Sequence, residues 1–361
     1  MYLFFLIGTG IYFFFIVLIF SGLLFKRTYL HTLSDLPMIS VVIAARNEQE
    51  NIQNILEDLV NQNMDKNSFE IIIANDRSTD KTSSIINNYA ETYKNIKIID
   101  IKNLNLMTPK KYALTKAIEK SNGDIIISTD ADCRVNKNWV NSMAQLVNNT
   151  DKIVIGYSKI NNTNSLLKQY QNIDFLGIMS ANAGLLNLNI ICSGSGQNLA
   201  YKKKHFLDIN GFVPVQHLIS GDDMYLVQSI SKLKGAIFNY DPSSFVSTTP
   251  KNKIIEYLNQ RTRWSSNSKN IIINAPYFFI FLFSALITNC GILYGLYIES
   301  ITITLIILIK LCVEGLIIYI GGKIFKTKTN FLLYMFWNIT QPIYIPIITM
   351  SGLIGKYSWK K

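Results

Sequence analysis

The strongest constraint on this sequence is a set of long segments that contain no charged side chain. These uncharged segments are Met1–Phe25, Ala275–Ile298 and Ser300–Ile309. A helix over the first of them would be about 37 Å long, which exceeds the roughly 30 Å of hydrocarbon in a bilayer. Charged residues make up only 16% of the chain, against about 25% in soluble proteins. The sequence therefore predicts a membrane protein whose globular part lies between about Lys26 and Asn274.

The C-terminal region is expected to supply about three membrane helices, near Ala275–Ile298, Ser300–Ile320 and Phe331–Ile354. The third of these segments contains Pro342 and Pro346. Prolines at this depth are compatible with a kinked spanning helix or with a re-entrant hairpin, and the sequence leaves both open. Residues 1–25 are therefore predicted to form one N-terminal transmembrane helix, and residues 275–354 about three C-terminal ones.

Positive charges next to these segments indicate the topology. Lys26 and Arg27 follow the first segment directly, and the loop between the last two segments holds Lys323, Lys326 and Lys328. Lys and Arg are concentrated on the cytoplasmic side of membrane proteins. The first segment also lacks the positive start and small-residue cleavage site of a secretory signal. We therefore expect a multi-pass integral membrane protein with a cytoplasmic globular domain, in the inner or plasma membrane if the source is bacterial.

The net charge of +11 narrows the class of partner. A basic protein attracts nucleic acid, anionic lipid or phosphate-bearing substrates. The sequence shows no basic helix with interleaved aromatic residues, so we expect no nucleic acid partner and instead expect membrane lipids. None of the four cysteines forms a C-x-x-C pair. This spacing argues against a zinc site or a disulfide framework and favours a reducing cytosol.

From Met38 onwards, short apolar runs alternate with segments of helical periodicity. The runs are predicted to be buried parallel strands at Ile39–Ala44, Glu70–Ala74, Ile96–Ile101 and Asp124–Ser128. Helices are predicted at Asn51–Asn63, Lys81–Tyr93, Tyr112–Lys120, Ser165–Ser180 and Lys253–Ser268. This alternation is typical of an α/β sheet that is covered by helices on both faces.

Polar side chains concentrate where the predicted strands end, which is where α/β sheets bind ligands. The first strand ends in Ala45–Glu48, the second in Asn75–Asp80 and the fourth in Thr129–Asp132. Asp130 and Asp132 could approach one ion in that last turn, and Mg²⁺ or Mn²⁺ prefers a few carboxylates together with substrate phosphate oxygens. An isolated D-x-D is more often a solvated turn, but its position after the fourth strand favours a metal and nucleotide site.

These residues belong to an ordered series of motifs. The series comprises A-A-R-N-E (Ala44–Glu48), N-D-R-S-T-D (Asn75–Asp80), K-K-Y-A-L (Lys110–Leu114), D-A-D (Asp130–Asp132), G-Q-N-L-A-Y (Gly196–Tyr201), G-D-D (Gly221–Asp223) and Q-R-T-R-W (Gln260–Trp264). Over about Met38–Ser268 it resembles the family 2 inverting glycosyltransferases. Q-x-x-R-W is typical of their membrane-bound branch, which includes cellulose, chitin and hyaluronan synthases and ceramide glucosyltransferase.

The resemblance implies a fold and a domain organisation. It implies a GT-A-like (Rossmann-like) α/β domain with a mostly parallel sheet over residues 38–270. Residues 38–135 would form the nucleotide-sugar-binding half and residues 136–270 the acceptor half, with transmembrane regions at 1–25 and 275–354. The resemblance also implies a nucleotide-sugar donor and a Mg²⁺ or Mn²⁺ cofactor. The usual donors of the family are UDP-linked sugars.

On the donor side, the resemblance assigns roles to five residues. Glu48 and Asp76 would contact the nucleoside, and Lys110 would lie near its base or phosphates. Asp130 would help to hold the nucleotide, while Asp132 would ligate the metal that bridges the diphosphate.

On the acceptor side, the resemblance makes Asp223 the general base that deprotonates the acceptor hydroxyl. An inverting transfer needs such a carboxylate, and the leaving diphosphate needs its charge neutralised. The residues implied to line the acceptor channel and steady the diphosphate are Gln260, Arg263 and Trp264. Asn75 and Asp222 depart mildly from the family pattern, which often has Asp and Glu at these positions.

Other interpretations of the same residues stay open. Asp222 and Asp223 precede an apolar run and could cap a helix, because acids favour the first turn. Trp264 could be a packing residue of an amphipathic helix. Lys310 and Glu314, four residues apart in a membrane segment, are equally consistent with a functional site and with a buried ion pair.

The sequence favours one function and leaves others open. The favoured function is sugar transfer to a lipid or lipid-linked acceptor. A processive polysaccharide synthase of the chitin or hyaluronan type is an alternative, because Q-x-x-R-W is frequent there. A catalytically inactive binding or scaffold protein on the same fold is a third, but the joint presence of Asp130, Asp132, Asp223 and Arg263 argues against it.

Overall fold

The computed structural model describes residues 2–25, 35–103, 106–161, 165–298 and 301–355, with the backbone alone for residues 268–270. Lys26 and Arg27, on which part of the predicted topology rests, lie outside these residues. The chain divides into two compact units. A helical unit comprises Met1–Arg27, Ile160–Cys192 and Pro250–Lys361, and a sheet unit comprises Thr28–Lys159 and Ser193–Thr249. The predicted division of the globular domain into two halves stays a prediction.

The sheet unit contains ten strands in its described part, joined by helices. The strands are β1 (Ile39–Ala45), β2 (Phe69–Asp76), β3 (Ile96–Ile101), β4 (Ile125–Ser128), β5 (Cys133–Arg134), β6 (Ile153–Gly156), β7 (Ser158–Ile160), β8 (Leu199–Lys202), β9 (Ala236–Asn239) and β10 (Val246–Thr248). The helices are α2 (Ile52–Val60), α3 (Thr82–Thr92), α4 (Pro109–Lys120), α5 (Trp139–Thr150), α7 (Lys203–Asp208) and α8 (Asp222–Lys234). The last residue of β7 falls within the helical unit.

The main sheet has seven strands in the order β3-β2-β1-β4-β8-β6-β9. The first four of these strands are parallel, with Ile39 of β1 opposite both Phe69 of β2 and Ile125 of β4. Only β8 runs antiparallel to its neighbours β4 and β6. A smaller sheet has the order β5-β10-β7. The predicted α/β class with a mostly parallel sheet is confirmed.

The sheet forms where apolar strands are buried between helices. Alternate residues of β1, such as Ile39 and Val41, share one buried core with Ile55 of α2 and Val140 of α5. Helix α4 also packs against β1 and β2. Because side chains alternate between the two faces of a strand, strands that are apolar at every position need helices on both faces.

The second strand extends further than its apolar run predicts. Asn75 and Asp76, expected to follow the strand, lie within it because parallel pairing with β3 continues to Asp76 opposite Ile101. The other three predicted strands agree to within one residue. Both polar residues therefore lie at the carboxyl end of a buried strand.

The helical unit contains long apolar helices. Its described helices are α1 (Tyr2–Leu24), α6 (Leu166–Asn187), α9 (Ile254–Ser265), α10 (Ser268–Asn274), α11 (Pro276–Tyr297), α12 (Ile301–Ile324) and α13 (Phe331–Ile354). Among the described residues, four helices are long and apolar enough to cross a membrane, namely α1, α11, α12 and α13. The expectation of one such helix at the N-terminus and three near the C-terminus is confirmed at the level of length and composition.

Helix α13 is continuous through Pro342 and Pro346, so the last segment is one helix and not a hairpin. Prolines are tolerated in membrane helices because neighbouring groups satisfy the freed backbone carbonyls. The predicted helix at Lys253–Ser268 ends earlier, at Ser265, and a separate short helix α10 follows it. Helix α6 instead runs to Asn187, about two turns beyond its predicted end.

A buried polar cluster joins three of the apolar helices. The Nζ atom of Lys310 lies 2.9 Å from Oε1 of Glu314, as their four-residue spacing on α12 permits. Tyr12 of α1 donates to Glu314 (2.5 Å), as does Asn338 of α13 (2.9 Å), and Lys310 donates to Gln341 of α13 (2.9 Å). Both charged side chains are buried, at 1% and 6% exposed.

Candidate functional site

A pocket lies at the carboxyl end of the central strands of the sheet unit. It brings together the start of α4, the end of β4, the loop before β8 and the first turn of α8. The polar residues that line it include Lys110, Thr129, Asp130, Gly196, Asp222 and Asp223. Three of the residues predicted from the sequence, Lys110, Asp130 and Asp223, thus share one pocket.

Lys110 links the acidic residues of this pocket. Its Nζ atom lies 2.8 Å from Oδ1 of Asp130 and 3.6 Å from Oδ2 of Asp222. Burial alone would lower the pKa of Lys110, but the charges of Asp130 and Asp222 outweigh that effect and the pKa is raised. The ammonium group therefore stays charged beside these two carboxylates.

Asp223 occupies the first turn of α8, directly after Gly221 and Asp222. Gly221 has φ +84°, in the left-handed region that glycine tolerates best. The Asp223 carboxylate accepts hydrogen bonds from the backbone N–H groups of Gly196 (3.1 Å) and Met224 (2.8 Å). Burial raises the pKa of Asp223, and the nearby charge of Asp222 raises it further.

The sequence left open whether Asp222 and Asp223 cap a helix. Gly221 holds the N-cap position of α8, so Asp222 and Asp223 are first-turn residues instead. Both carboxylates lie near the positive end of the helix dipole. Because Asp223 also lines the pocket, its place in the first turn is compatible with a chemical role.

The D-x-D turn follows β4 and is partly exposed. The side chain of Asp130 is 29% exposed and is bonded to Lys110. The Sγ atom of Cys133 lies 3.8 Å from Oδ1 of Asp132. Within the described ranges no group of three or more His, Cys, Asp or Glu side chains is placed to hold a metal. The carboxylates of Asp130 and Asp132 supply oxygen atoms, which are the ligands that Mg²⁺ and Mn²⁺ take together with phosphate and water.

Glu48 and Asp76 lie at the ends of the neighbouring strands β1 and β2, and neither lines the pocket around Lys110. Asp76 is buried and forms an ion pair with Arg77 at 2.7 Å. Arg46 lies 3.8 Å from the other oxygen of Asp76. Glu48 accepts a hydrogen bond from the side chain of Asn51 at 2.8 Å. These residues form a second polar group at the same edge of the sheet.

Asn75 completes that second polar group. Its amide nitrogen donates to Asp100 at 2.8 Å, and its buried oxygen has no hydrogen-bond partner among the described residues. A buried acceptor without a partner is costly. The oxygen of Asn75 is therefore suited to accept a hydrogen bond from a bound ligand.

The Q-x-x-R-W residues belong to the helical unit, on α9. Gln260, Arg263 and Trp264 are all half-buried. Arg261 and Thr262 within the motif are buried, and Arg261, which is 5% exposed, pairs with Asp174 of α6 at 2.7 Å. Its guanidinium also lies 4.2 Å from the centre of the Trp264 ring, a cation–π arrangement.

Asp174 connects three helices of the helical unit. Besides Arg261, it accepts hydrogen bonds from Tyr257 of α9 (2.7 Å) and from Trp337 of α13 (3.1 Å). Tyr257 is in turn bonded to Tyr344 of α13 at 2.7 Å. The sequence did not single out Asp174 or Arg261. The sequence signal that could have pointed to Asp174 is that it is an acidic residue within an apolar stretch of α6.

The mostly parallel α/β sheet with carboxylates at its central strand ends is GT-A-like, as the similarity to a solved glycosyltransferase structure shows. The comparisons give the same class. Residues 40–209 match the family described as Glycosyl transferase family 2. The match contains Glu48, Asp76, Lys110, Asp130 and Asp132. It ends before Asp223 and the Q-x-x-R-W motif.

Two curated relatives and one solved structure illustrate the similarity. The chain is 28% identical to the probable glycosyltransferase YdaM of Bacillus subtilis over 67% of this chain and 57% of that protein. It is 23% identical to the poly-beta-1,6-N-acetyl-D-glucosamine synthase of Staphylococcus epidermidis over 84% of this chain and 71% of that protein. The chain spans about half the length of the first curated relatives that it matches.

The solved structure is a mannosyltransferase, PcManGT from Pyrobaculum calidifontis, in complex with GDP-Man and Mn²⁺. It is 14% identical, has a TM-score of 0.66, and the match covers 97% of this chain and 98% of that one. At this identity the similarity shows the fold alone.

Proposed function

We propose that this protein transfers a sugar from a nucleotide-sugar donor to a hydroxyl group of a lipid or lipid-linked acceptor, with inversion at the sugar. The observation that carries the proposal is the pocket in which Lys110, Asp130 and Asp223 converge. A cation that binds phosphate and a carboxylate that takes a proton are the two groups such a transfer needs. The family 2 match over residues 40–209 supports the same chemistry.

On the donor side, Asp76, Glu48 and the unpartnered oxygen of Asn75 would bind the nucleoside. Lys110, held by Asp130, would contact the diphosphate. Asp132, with Asp130 nearby, would hold Mg²⁺ or Mn²⁺, which neutralises diphosphate charge when bound. The three groups together would orient the bond between the sugar and the diphosphate towards the acceptor.

In the transfer itself, Asp223 would accept the proton of the acceptor hydroxyl. The hydroxyl oxygen forms the new bond to the anomeric carbon from the side opposite the diphosphate, and the nucleoside diphosphate leaves with the electron pair. Burial supports this role for Asp223, because a raised pKa makes a carboxylate a stronger base. Arg263, with Gln260 and Trp264, would line the acceptor side and steady the departing diphosphate.

The proposal of a lipid acceptor rests on the helical unit. Helix α9, which carries Q-x-x-R-W, packs against the apolar helix α13. Asp174, Tyr257, Trp337 and Tyr344 form the hydrogen-bonded contact around this packing. Acceptor-side residues on a helix that is bound to a membrane-type helix are suited to an acceptor held in the bilayer.

The proposed topology places the sheet unit in the cytoplasm. The described residues that support it are Lys323, Lys326 and Lys328, which lie at the end of α12 and in the loop before α13. A reporter fused after residue 30 should be active on the cytoplasmic side. Activity only on the opposite side would reject this topology.

One alternative is a processive polysaccharide synthase, which the similarity to the S. epidermidis synthase over 84% of this chain favours. The number of sugars added per acceptor separates it from a single transfer. A ladder of products that lengthens with time would favour the synthase, and a single product would favour the proposed enzyme.

The experiment that tests the proposal is a donor screen with the purified full-length chain in detergent micelles containing membrane lipid extract. UDP-linked and GDP-linked sugars are supplied with Mn²⁺ or Mg²⁺, and both nucleoside diphosphate release and lipid-soluble sugar are measured. The Asp130→Ala/Asp132→Ala variant should be inactive. The control variant Asp208→Asn changes an exposed carboxylate of the same unit and should keep wild-type transfer activity. Lipid-soluble product formed equally by the D-x-D variant would reject the proposed site.

A further inference from the structure

The loop that leads to Asp223 is anchored at its start by Phe212, which is 1% exposed, whereas residues 213–219 after it have no fully buried side chain. It runs from the end of α7 at Asp208 to the start of α8 at Asp222. Val213 and Ile219 in this loop are 56% and 55% exposed. Burial of Val213 and Ile219 therefore does not fix the part of the loop that follows Phe212, and polar contacts contribute to the position of that part.

The polar contacts come from the first turn of α4. The Nζ atom of Lys111 donates to the backbone carbonyl of Leu218 at 2.6 Å and lies 3.4 Å from that of Ser220. Thr108 adds two bonds, from its backbone N–H to the carbonyl of Gln216 (3.0 Å) and from its hydroxyl to that of Leu218 (3.1 Å). The segment 216–220 is thus tied to α4 immediately before Gly221, Asp222 and Asp223.

Lys111 is unusual because it is a lysine with only 1% of its surface exposed. Lysine is seldom buried unless its charge has partners, and here the ammonium group donates to two loop carbonyls and to the Thr108 hydroxyl. Lys110, one residue earlier, is bonded to the carboxylate of Asp130 instead. Adjacent residues on a helix point about 100° apart, so the two lysines serve different parts of the site.

We propose that Lys111 is a positioning residue for the transfer step, whose buried ammonium group fixes the 216–220 segment and thereby sets the position of Asp223. This inference rests on the proposed function, in which Asp223 is the base. It assigns to the second lysine of K-K-Y-A-L a task distinct from that of Lys110: the first contacts the donor, and the second aligns the base.

The test is a double-mutant cycle on the full-length chain, with wild type, Lys111→Met, Asp223→Asn and the double variant. Methionine keeps the length of the side chain but cannot donate to the loop carbonyls. Lys111→Met should lower kcat for transfer by about ten- to a hundredfold, the range that follows from small misplacement of a catalytic group. The KM for the donor and the Kd for UDP or GDP, whichever nucleotide the donor contains, should stay at wild-type values.

The cycle also separates positioning from a general folding defect. If Lys111 acts through Asp223, the double variant should be no slower than Asp223→Asn alone, because residues that act as a unit are not additive. Lys116→Met is the matched control, since Lys116 lies on the same helix, is partly exposed and pairs only locally with Glu119. Thr108→Val keeps the side chain's shape but removes the hydroxyl that donates to Leu218 and accepts from Lys111. It should also lower kcat, which keeps the test usable if Lys111→Met fails to fold.

Three results would overturn the inference, and they are distinguishable. If the two substitutions lower kcat by factors that multiply in the double variant, Lys111 does not act through Asp223. That result would leave the proposed base intact. Wild-type transfer by Lys111→Met would do the same. Wild-type transfer by Asp223→Asn would reject the base itself and, with it, the role of Lys111.

Discussion

Lys310→Met removes the lysine of the buried cluster in the apolar helices. It should destabilise the protein far more than a double variant that removes the charges of both Lys310 and Glu314. Lys310→Met leaves the Glu314 carboxylate in a site where that side chain is 6% exposed. Tyr12 and Asn338 still donate to it, but its cationic partner is lost. Breaking one side of a buried ion pair typically costs about 3–5 kcal/mol.

The double variant Lys310→Met/Glu314→Gln supplies the comparison. Glutamine keeps an oxygen for Tyr12 and Asn338, so the cluster loses both charges and retains hydrogen bonds. Replacing a complete buried pair is often close to neutral. On a scale of about 2–4 °C per kcal/mol, Lys310→Met should lower the melting temperature by roughly 6–20 °C, and the double variant by much less.

The assay is thermal unfolding in detergent micelles, followed as the loss of the monodisperse peak in size-exclusion chromatography. Lys323→Met is the matched control, because Lys323 is an exposed lysine near the end of the same helix. A Lys310→Met melting temperature within about one degree of wild type would refute the reasoning. A double variant as unstable as the single one would refute it equally, since it would mean that the unpaired charge was not the cause.

Three further predictions concern the candidate site. Asp132→Ala should lose the restoration of turnover by Mg²⁺ or Mn²⁺ after chelation, whereas a wild-type metal response would remove Asp132 from the metal site. Asp76→Ala should weaken donor binding as its first defect, seen in the Kd for UDP or GDP, and an unchanged Kd would reject its nucleoside role. Asp174→Asn should leave Arg261 buried without its carboxylate and cost about 3–5 kcal/mol of stability. Tyr344→Phe, which removes one hydrogen bond near it, should cost only about 1 kcal/mol, and equal melting temperatures for these two variants would contradict the ion-pair assignment.

The strands and the apolar helices could be predicted because both depend on local pattern. Ile96–Ile101 has the same bounds in the sequence prediction and in the structure, since a short run rich in isoleucine between polar turns favours a strand. Its predicted burial was wrong, because β3 is at the edge of the sheet and only Ile96 and Ile101 are buried. The extension of β2 through Asp76 could not be predicted, because it depends on pairing with β3, some 20 residues further along the chain.

Residues of the candidate site could be predicted where they lie directly beside a strand or helix that is recognisable from the sequence. Lys110, Asp130 and Asp223 each follow or precede a recognisable element, and the structure brings them into one pocket. Asp174 and Lys111 were not predictable in the same way. Their partners, Arg261 and the carbonyls of Leu218 and Ser220, are 87 to 109 residues away in sequence, and only tertiary structure reveals such contacts.

The central claim is that Asp223 is the base of a sugar transfer. Asparagine at this position keeps the size of the side chain and can still accept hydrogen bonds from the N–H groups of Gly196 and Met224, but it cannot take the proton of the acceptor. The decisive measurement is the kcat for transfer by Asp223→Asn, made beside the Kd for the donor nucleotide and beside Asp208→Asn as control. The account predicts that kcat falls by about 10²–10⁴-fold while donor binding and folding are retained. Transfer within a few-fold of wild type by a folded Asp223→Asn protein would contradict it, and the base would then have to be sought next at Asp222.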